Sequence, residues 1–229
     1  MITLDFRGRG RSDYDRNWKN YHPVTYISDV RHVLVALNLH RVFIIGTSLG
    51  GIVAMGMGAV IPTVLAGVLL NDVGPELSMS GLLNIRKYME AERNYSDWAS
   101  VASQLARFFP EIGLQTIDDW ELLARLSYRQ RKDGAIAADW DENLVRPLQV
   151  SGFALPDLWP MFRSLRNIPV VTLRGEKSSV LSADSLARMR DCMPSMSAVT
   201  IPGAGHVPSL AEPLSMSALA GALSHADSA

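Results

Sequence analysis

No charged residue occurs between Val42 and Asn71. The stretch opens with four consecutive apolar residues, Val42 to Ile45, whose lack of polar alternation predicts a strand buried on both faces. Ile52 to Val60 follows as a helix apolar all round, and Ala66 to Asn71 reads as a second buried strand. Hydropathy alone would suggest a membrane span, but Pro62 and the glycines at 46, 50, 51, 56, 58 and 67 divide the stretch into strand, turn, buried helix and strand. Upstream, Ile27, Val30, Leu34 and Leu37 recur at helical spacing after Pro23, with Asn38 near the predicted helix end. Ile2 to Phe6 is a short, partly β-branched run before a Gly- and Arg-rich loop and predicts a strand.

Between Pro75 and about Pro160 the pattern changes to helices without intervening parallel strands. Trp98, Val101, Ala102, Leu105 and Phe109 form one helical stripe, and Trp120, Leu123, Leu126 and Tyr128 part of another. The earlier rhythm then returns with a strand at Val170 to Leu173, a helix around Ala183 to Met193, a strand at Ala198 to Ile201 and a helix after Pro213. The chain is therefore expected to be an α/β protein with a mostly parallel sheet covered on both faces. Residues 1–74 and 161–229 would form its core, and 75–160 an inserted helical cap.

Length and charge narrow the function classes. A chain of 229 residues, 48% hydrophobic, can bury one sizeable core. Its 22 basic and 23 acidic residues nearly cancel, which argues against nucleic acid or an acidic membrane as partner, despite the arginines of RGRGRS, and for a small-molecule ligand. Cys192 is the only cysteine, which excludes an intrachain disulfide framework and a thiolate metal cluster and fits a reducing cytoplasm. MITLDFRGRG has no basic region followed by an apolar stretch, so a secretory signal is not expected.

Gly46-Thr47-Ser48-Leu49-Gly50 matches G-x-S-x-G, in which a sharp turn between strand and helix lifts a serine hydroxyl above the sheet edge. A hydroxyl is a poor nucleophile until a base removes its proton, and histidine suits that work. His22, His32, His40 and His225 lie in helical, loop or tail contexts. His206 instead follows Pro202-Gly203-Ala204-Gly205 beyond the last predicted strand, at the strand ends where ligands bind in open α/β sheets.

These residues, with DFRGRGRSDY, GTSLGG, LLNDVGPE, PVVTLRGE and PGAGHVPSLAEP, resemble the α/β-hydrolase family, in its bacterial cap-bearing esterase and lactonase-like branch. The resemblance implies Ser48 as nucleophile, His206 as base and the Leu49 amide as one oxyanion-hole donor. It implies no metal or organic cofactor and a small carboxylic ester or lactone as substrate.

Two departures from the family pattern stand out. Where the family places its acid, Gly175-Glu176-Lys177-Ser178-Ser179 has serines, leaving Asp72, at the end of the preceding strand, or Glu176 as the candidate acid. The His-Gly pair that introduces the second oxyanion donor is absent from the sequence, and removing one such donor costs about a hundred- to a thousandfold. Met1 falls where the family enters its fourth strand, so roughly 40 to 60 residues of strands and helix are expected to be missing. An unpaired sheet edge left in this way offers a route to a homodimer. The alternative to an ester hydrolase is a catalytically impaired binding protein of the same fold, or a truncated fragment.

Overall fold

The computed structural model describes residues 1–91, 93–112, 114, 116–150 and 156–228. In chain order the elements begin with α1 (Pro23–Ala36), β1 (Val42–Thr47), α2 (Leu49–Val60) and β2 (Leu65–Asn71). Then come α3 (Met79–Glu90), β3 (Asn94–Tyr95), α4 (Trp98–Phe108), α5 (Ile117–Ser127), β4 (Tyr128–Gln130), β5 (Ile136–Ala138) and α6 (Arg146–Gln149). The last are α7 (Trp159–Arg163), β6 (Val170–Gly175), α8 (Ala183–Cys192), β7 (Ser197–Ile201) and α9 (Pro213–Ser228). Backbone contacts group them into two compact units, Pro23–Gly81 with Ala154–Ala229 and Met1–His22 with Leu82–Phe153.

The first unit is built on a four-stranded sheet of order β1-β2-β6-β7, every neighbouring pair parallel. Its faces are separated by the two-residue period of the strands. Leu69, Val171 and Leu173 face Ala222 and Ala218 of α9, whereas Leu70 lies on the side of Gly51 in α2. α2 is sunk so deeply that Gly51 to Gly58 are all buried, which explains its lack of a polar face. Gly56 lets α1 approach, since a Cβ there would lie 2.1 Å from Ile27 Cδ1. α1 ends where the spacing predicted, with Asn38 at φ 54° in the left-handed conformation that asparagine tolerates.

The second unit has its own core of Val101, Leu105, Ala124, Tyr128, Ile136 and Ala138, and α4 buries Val101, Ala102 and Leu105 of the predicted stripe. Parallel strands are absent from its described residues, as expected, but a small antiparallel sheet of order β3-β5-β4 was not anticipated. Open to solvent lies a cavity of about 710 Å³ lined in part by Tyr14, Arg93, Arg129 and Trp140. Its arginines are already engaged, Arg93 with the Trp140 carbonyl and Arg129 with Asp139.

The strand expected at Ile2–Phe6 does not form; residues 1–5 are exposed and without regular structure. A strand needs partners for its N–H and C=O groups, and the chain that follows finds them elsewhere. Gly10 N–H donates to Asp139 O at 2.9 Å, Asp141 N–H to Gly8 O at 2.8 Å, and Arg9 bridges Trp140. This pairing ties residues 1–22 to the Leu82–Phe153 segment, unlike the 1–74 core boundary drawn from sequence.

Tyr21, 3% exposed, anchors that attachment. Its hydroxyl donates to the buried Asp141 carboxylate and accepts from Asp15 N–H at 2.8 Å. Burial, and then the bond to Asp141, pushes the phenol up to about 12. Because the folded chain holds this proton more tightly, the stabilisation is complete below about pH 10 and fades as pH rises through the folded value. Tyr21→Phe is expected to cost about 1–3 kcal/mol in urea unfolding followed by circular dichroism, since Asp141 loses a buried donor. An unchanged midpoint would show that the hydroxyl is not an anchor.

Among the described residues, no helix is long and apolar enough to cross a membrane, and no group of three or more His, Cys, Asp or Glu is placed to hold a metal ion.

Candidate active site

Parallel pairing brings the C-terminal ends of β1, β2, β6 and β7 to one edge of the sheet. Ser48 follows β1, Asp72 follows β2, the Glu176–Ser178 turn follows β6 and His206 follows β7.

Ser48 is the pivot between β1 and α2, at φ 48° and ψ −113°. Such a conformation costs about 1–3 kcal/mol in a residue with a side chain and persists only where the surroundings impose it. Here Ser48 N–H donates to Asn71 O at 3.1 Å, and Ser48 O accepts from Gly51 N–H at 2.9 Å. Gly46 makes the turn sterically feasible, because a Cβ at that position would lie 2.5 Å from Gly50 O. The Leu49 N–H opens α2 and is one of the helix's first amides, which have no intrahelical acceptor and lie at the positive end of its dipole.

The His206 loop is held from several directions. Lys177 N–H donates to Ala204 O at 2.9 Å, and the Asn71 amide spans Pro208 O at 3.1 Å and Thr47 Oγ1 at 3.2 Å. Gly175 permits this closeness: a Cβ on it would stand 2.2 Å from Gly205 O. The ring of His206, whose side chain is 11% exposed, thereby faces both other groups. Its Nε2 is 3.2 Å from Ser48 Oγ, and its Nδ1 is 2.7 Å from Asp72 Oδ2.

Asp72 is fully buried, with φ 55°. Besides His206 it has two further donors, Gly175 N–H to Oδ1 at 2.8 Å and Ser178 Oγ to Oδ2 at 2.6 Å. Glu176, the other carboxylate considered from sequence, is exposed and accepts from Gly203 N–H at 2.7 Å. His22, His32 and His40 are exposed, and the side chain of His225 lies outside the described residues. Asn71 and Ser178 were not singled out from sequence. A serine in Gly-Glu-Lys-Ser-Ser signals only the lack of an acid there, and Asn71 ends an otherwise apolar strand. No composition signal marks either contact.

A hydroxyl, an imidazole and a buried carboxylate in hydrogen-bonded series can move a proton off the hydroxyl as it attacks an electrophile. They can then return that proton to a leaving group, with the carboxylate holding the ring orientation.

A model of the alpha/beta hydrolase family matches residues 1–218. The 3-hydroxybutyrate-oligomer hydrolase of Cupriavidus necator is 29% identical over 221 residues, spanning 93% of this chain and 75% of that protein. The 2-(acetamidomethylene)succinate hydrolase of Mesorhizobium japonicum is 27% identical over 90% of this chain and 71% of its own. In backbone, the chain is similar to an alpha/beta hydrolase from Novosphingobium aromaticivorans, with TM-score 0.89 and 37% identity over 96% of this chain and 78% of that one.

Proposed function

Because this chain belongs to the alpha/beta hydrolase family, we propose that it cleaves a small carboxylic ester or lactone through an acyl-enzyme on Ser48. Support comes from one observation, the series in which His206 lies 3.2 Å from the Ser48 hydroxyl and 2.7 Å from the Asp72 carboxylate. In the forward step His206 Nε2 takes the Oγ proton while Oγ bonds to the substrate carbonyl carbon. The oxyanion accepts from Leu49 N–H, where the end of α2 favours negative charge. Collapse breaks the acyl–oxygen bond, and the leaving alkoxide takes the proton from Nε2. Water then gives Nε2 a proton and attacks the acyl carbon, releasing the acid and returning the proton to Ser48. From a lactone the same steps give a hydroxy acid, because acyl and alkoxide portions share one molecule.

The first test is covalent labelling by a fluorophosphonate, which needs an activated serine, read by intact mass on the wild-type chain and on Ser48→Ala. One adduct per wild-type chain and none on Ser48→Ala is the expected result. A folded wild-type chain that takes no label would overturn the ester hydrolase and leave a binding protein of this fold. Substrate search then begins with p-nitrophenyl esters of short acids and with oligomers of 3-hydroxybutyrate, whose units are joined by ester bonds.

A further inference from the structure

On the proposed roles of Ser48, His206 and Asp72, we propose that Ser178 is a positioning residue for this reaction, acting on Asp72 and through it on His206. Ser178 follows β6 in a turn closed by its own N–H to Gly175 O at 3.0 Å. Its Oγ has three neighbours: Val180 N and Leu181 N, each at 3.1 Å, and Asp72 Oδ2 at 2.6 Å. A serine hydroxyl offers one hydrogen and two lone pairs. The two backbone N–H groups can only donate, so they occupy the lone pairs and leave the single hydrogen for Asp72. The rotor is thus fixed by its partners, and its donation to Oδ2 is the one arrangement that satisfies all three.

The consequence passes along the series. Oδ2 receives Ser178 and His206 Nδ1 together, while Oδ1 receives Gly175 N–H, so turning the carboxylate about its Cβ–Cγ bond would disrupt three hydrogen bonds. A carboxylate is acceptor-only, which puts the ring hydrogen of neutral His206 on Nδ1 and leaves the Nε2 lone pair toward Ser48. Ser178 therefore holds the acceptor that selects the useful tautomer, without itself touching the substrate.

A double-mutant cycle tests this. The wild-type chain, Ser178→Ala, Ser178→Thr, Asp72→Asn and Ser178→Ala/Asp72→Asn are compared for kcat and KM on p-nitrophenyl acetate. The rate of Ser48 labelling and thermal melts are followed in parallel. Ser178→Ala is expected to lower kcat about ten- to a hundredfold with KM unchanged, the range for one hydrogen bond to a charged group. Ser178→Thr, which keeps the hydroxyl, should recover most of that loss. In the Asp72→Asn background Ser178→Ala should cost nothing further, because the group it acts through is already gone. An equal loss in both backgrounds would assign Ser178 a purely structural role and overturn the proposal, as would full kcat in a folded Ser178→Ala chain. A folded wild-type chain that neither labels nor turns over would instead overturn the hydrolase reading, and this proposal with it.

Discussion

His206→Gln is expected to lower kcat on p-nitrophenyl esters by about 10⁶-fold, the scale at which removing the base from a serine hydrolase leaves little but binding and oxyanion stabilisation. His206 Nε2 is the group 3.2 Å from Ser48 Oγ, within reach of its proton. Glutamine retains a polar side chain, so the loop can stay folded while the proton acceptor is lost. Fluorophosphonate labelling of Ser48 should fall with turnover, and a thermal melt close to wild type would show that the loss is chemical. Retention of more than about a thousandth of the activity would mean that another group serves as base, against the scale expected for such a deletion.

Asp72→Asn should follow at about 10⁴-fold in kcat, with KM little changed. The substitution is nearly isosteric, but the new amide can donate to Nδ1 and so favour the tautomer whose Nε2 carries the hydrogen and cannot accept from Ser48. The paired control is Glu176→Gln. Glu176 is exposed and bonds Gly203 N–H, so its neutralisation should leave kcat within about threefold, the range of a surface change away from such features. The reverse outcome, a large loss from Glu176→Gln and a small one from Asp72→Asn, would transfer the acid to Glu176.

Much of the fold was legible because its signals are long or chemically constrained. The uncharged stretch from Val42 to Asn71 folds as strand, turn, buried helix and strand, and its glycines other than Gly50 fall where a Cβ would collide with a neighbouring side chain or backbone. Ile2–Phe6 misled because a run of apolar residues specifies a strand only if a neighbour supplies hydrogen bonds, and the neighbouring chain instead pairs with residues 139–141. β3, β4 and β5 went unread for a different reason: at two or three residues each, they are too short for a two-residue period to show.

The candidate site divides along similar lines. Ser48 and His206 carry local signatures, and the structure brings them within hydrogen-bond distance. The choice between Asp72 and Glu176 depended on side-chain direction in two loops separated by about a hundred residues, which no local pattern encodes. The Ser178 contact is harder still to foresee, since a hydroxyl's partners are set by turn geometry.

Because Ser48, Asp72, Ser178 and His206 each follow a different strand, and those strands are adjacent in the order β1-β2-β6-β7, the sheet itself acts as the ruler between them. The roughly 4.8 Å repeat between hydrogen-bonded strands sets the spacing of the strand ends, at right angles to the chain, and the His206 loop reaches back from the outer strand β7 to meet Ser48 and Asp72. Changes in the length of the connecting helices can therefore be absorbed without altering the spacing. A slip of β2 by one residue cannot be, because it would turn the side chains of Asn71 and Asp72 to opposite faces and sever the series at its centre.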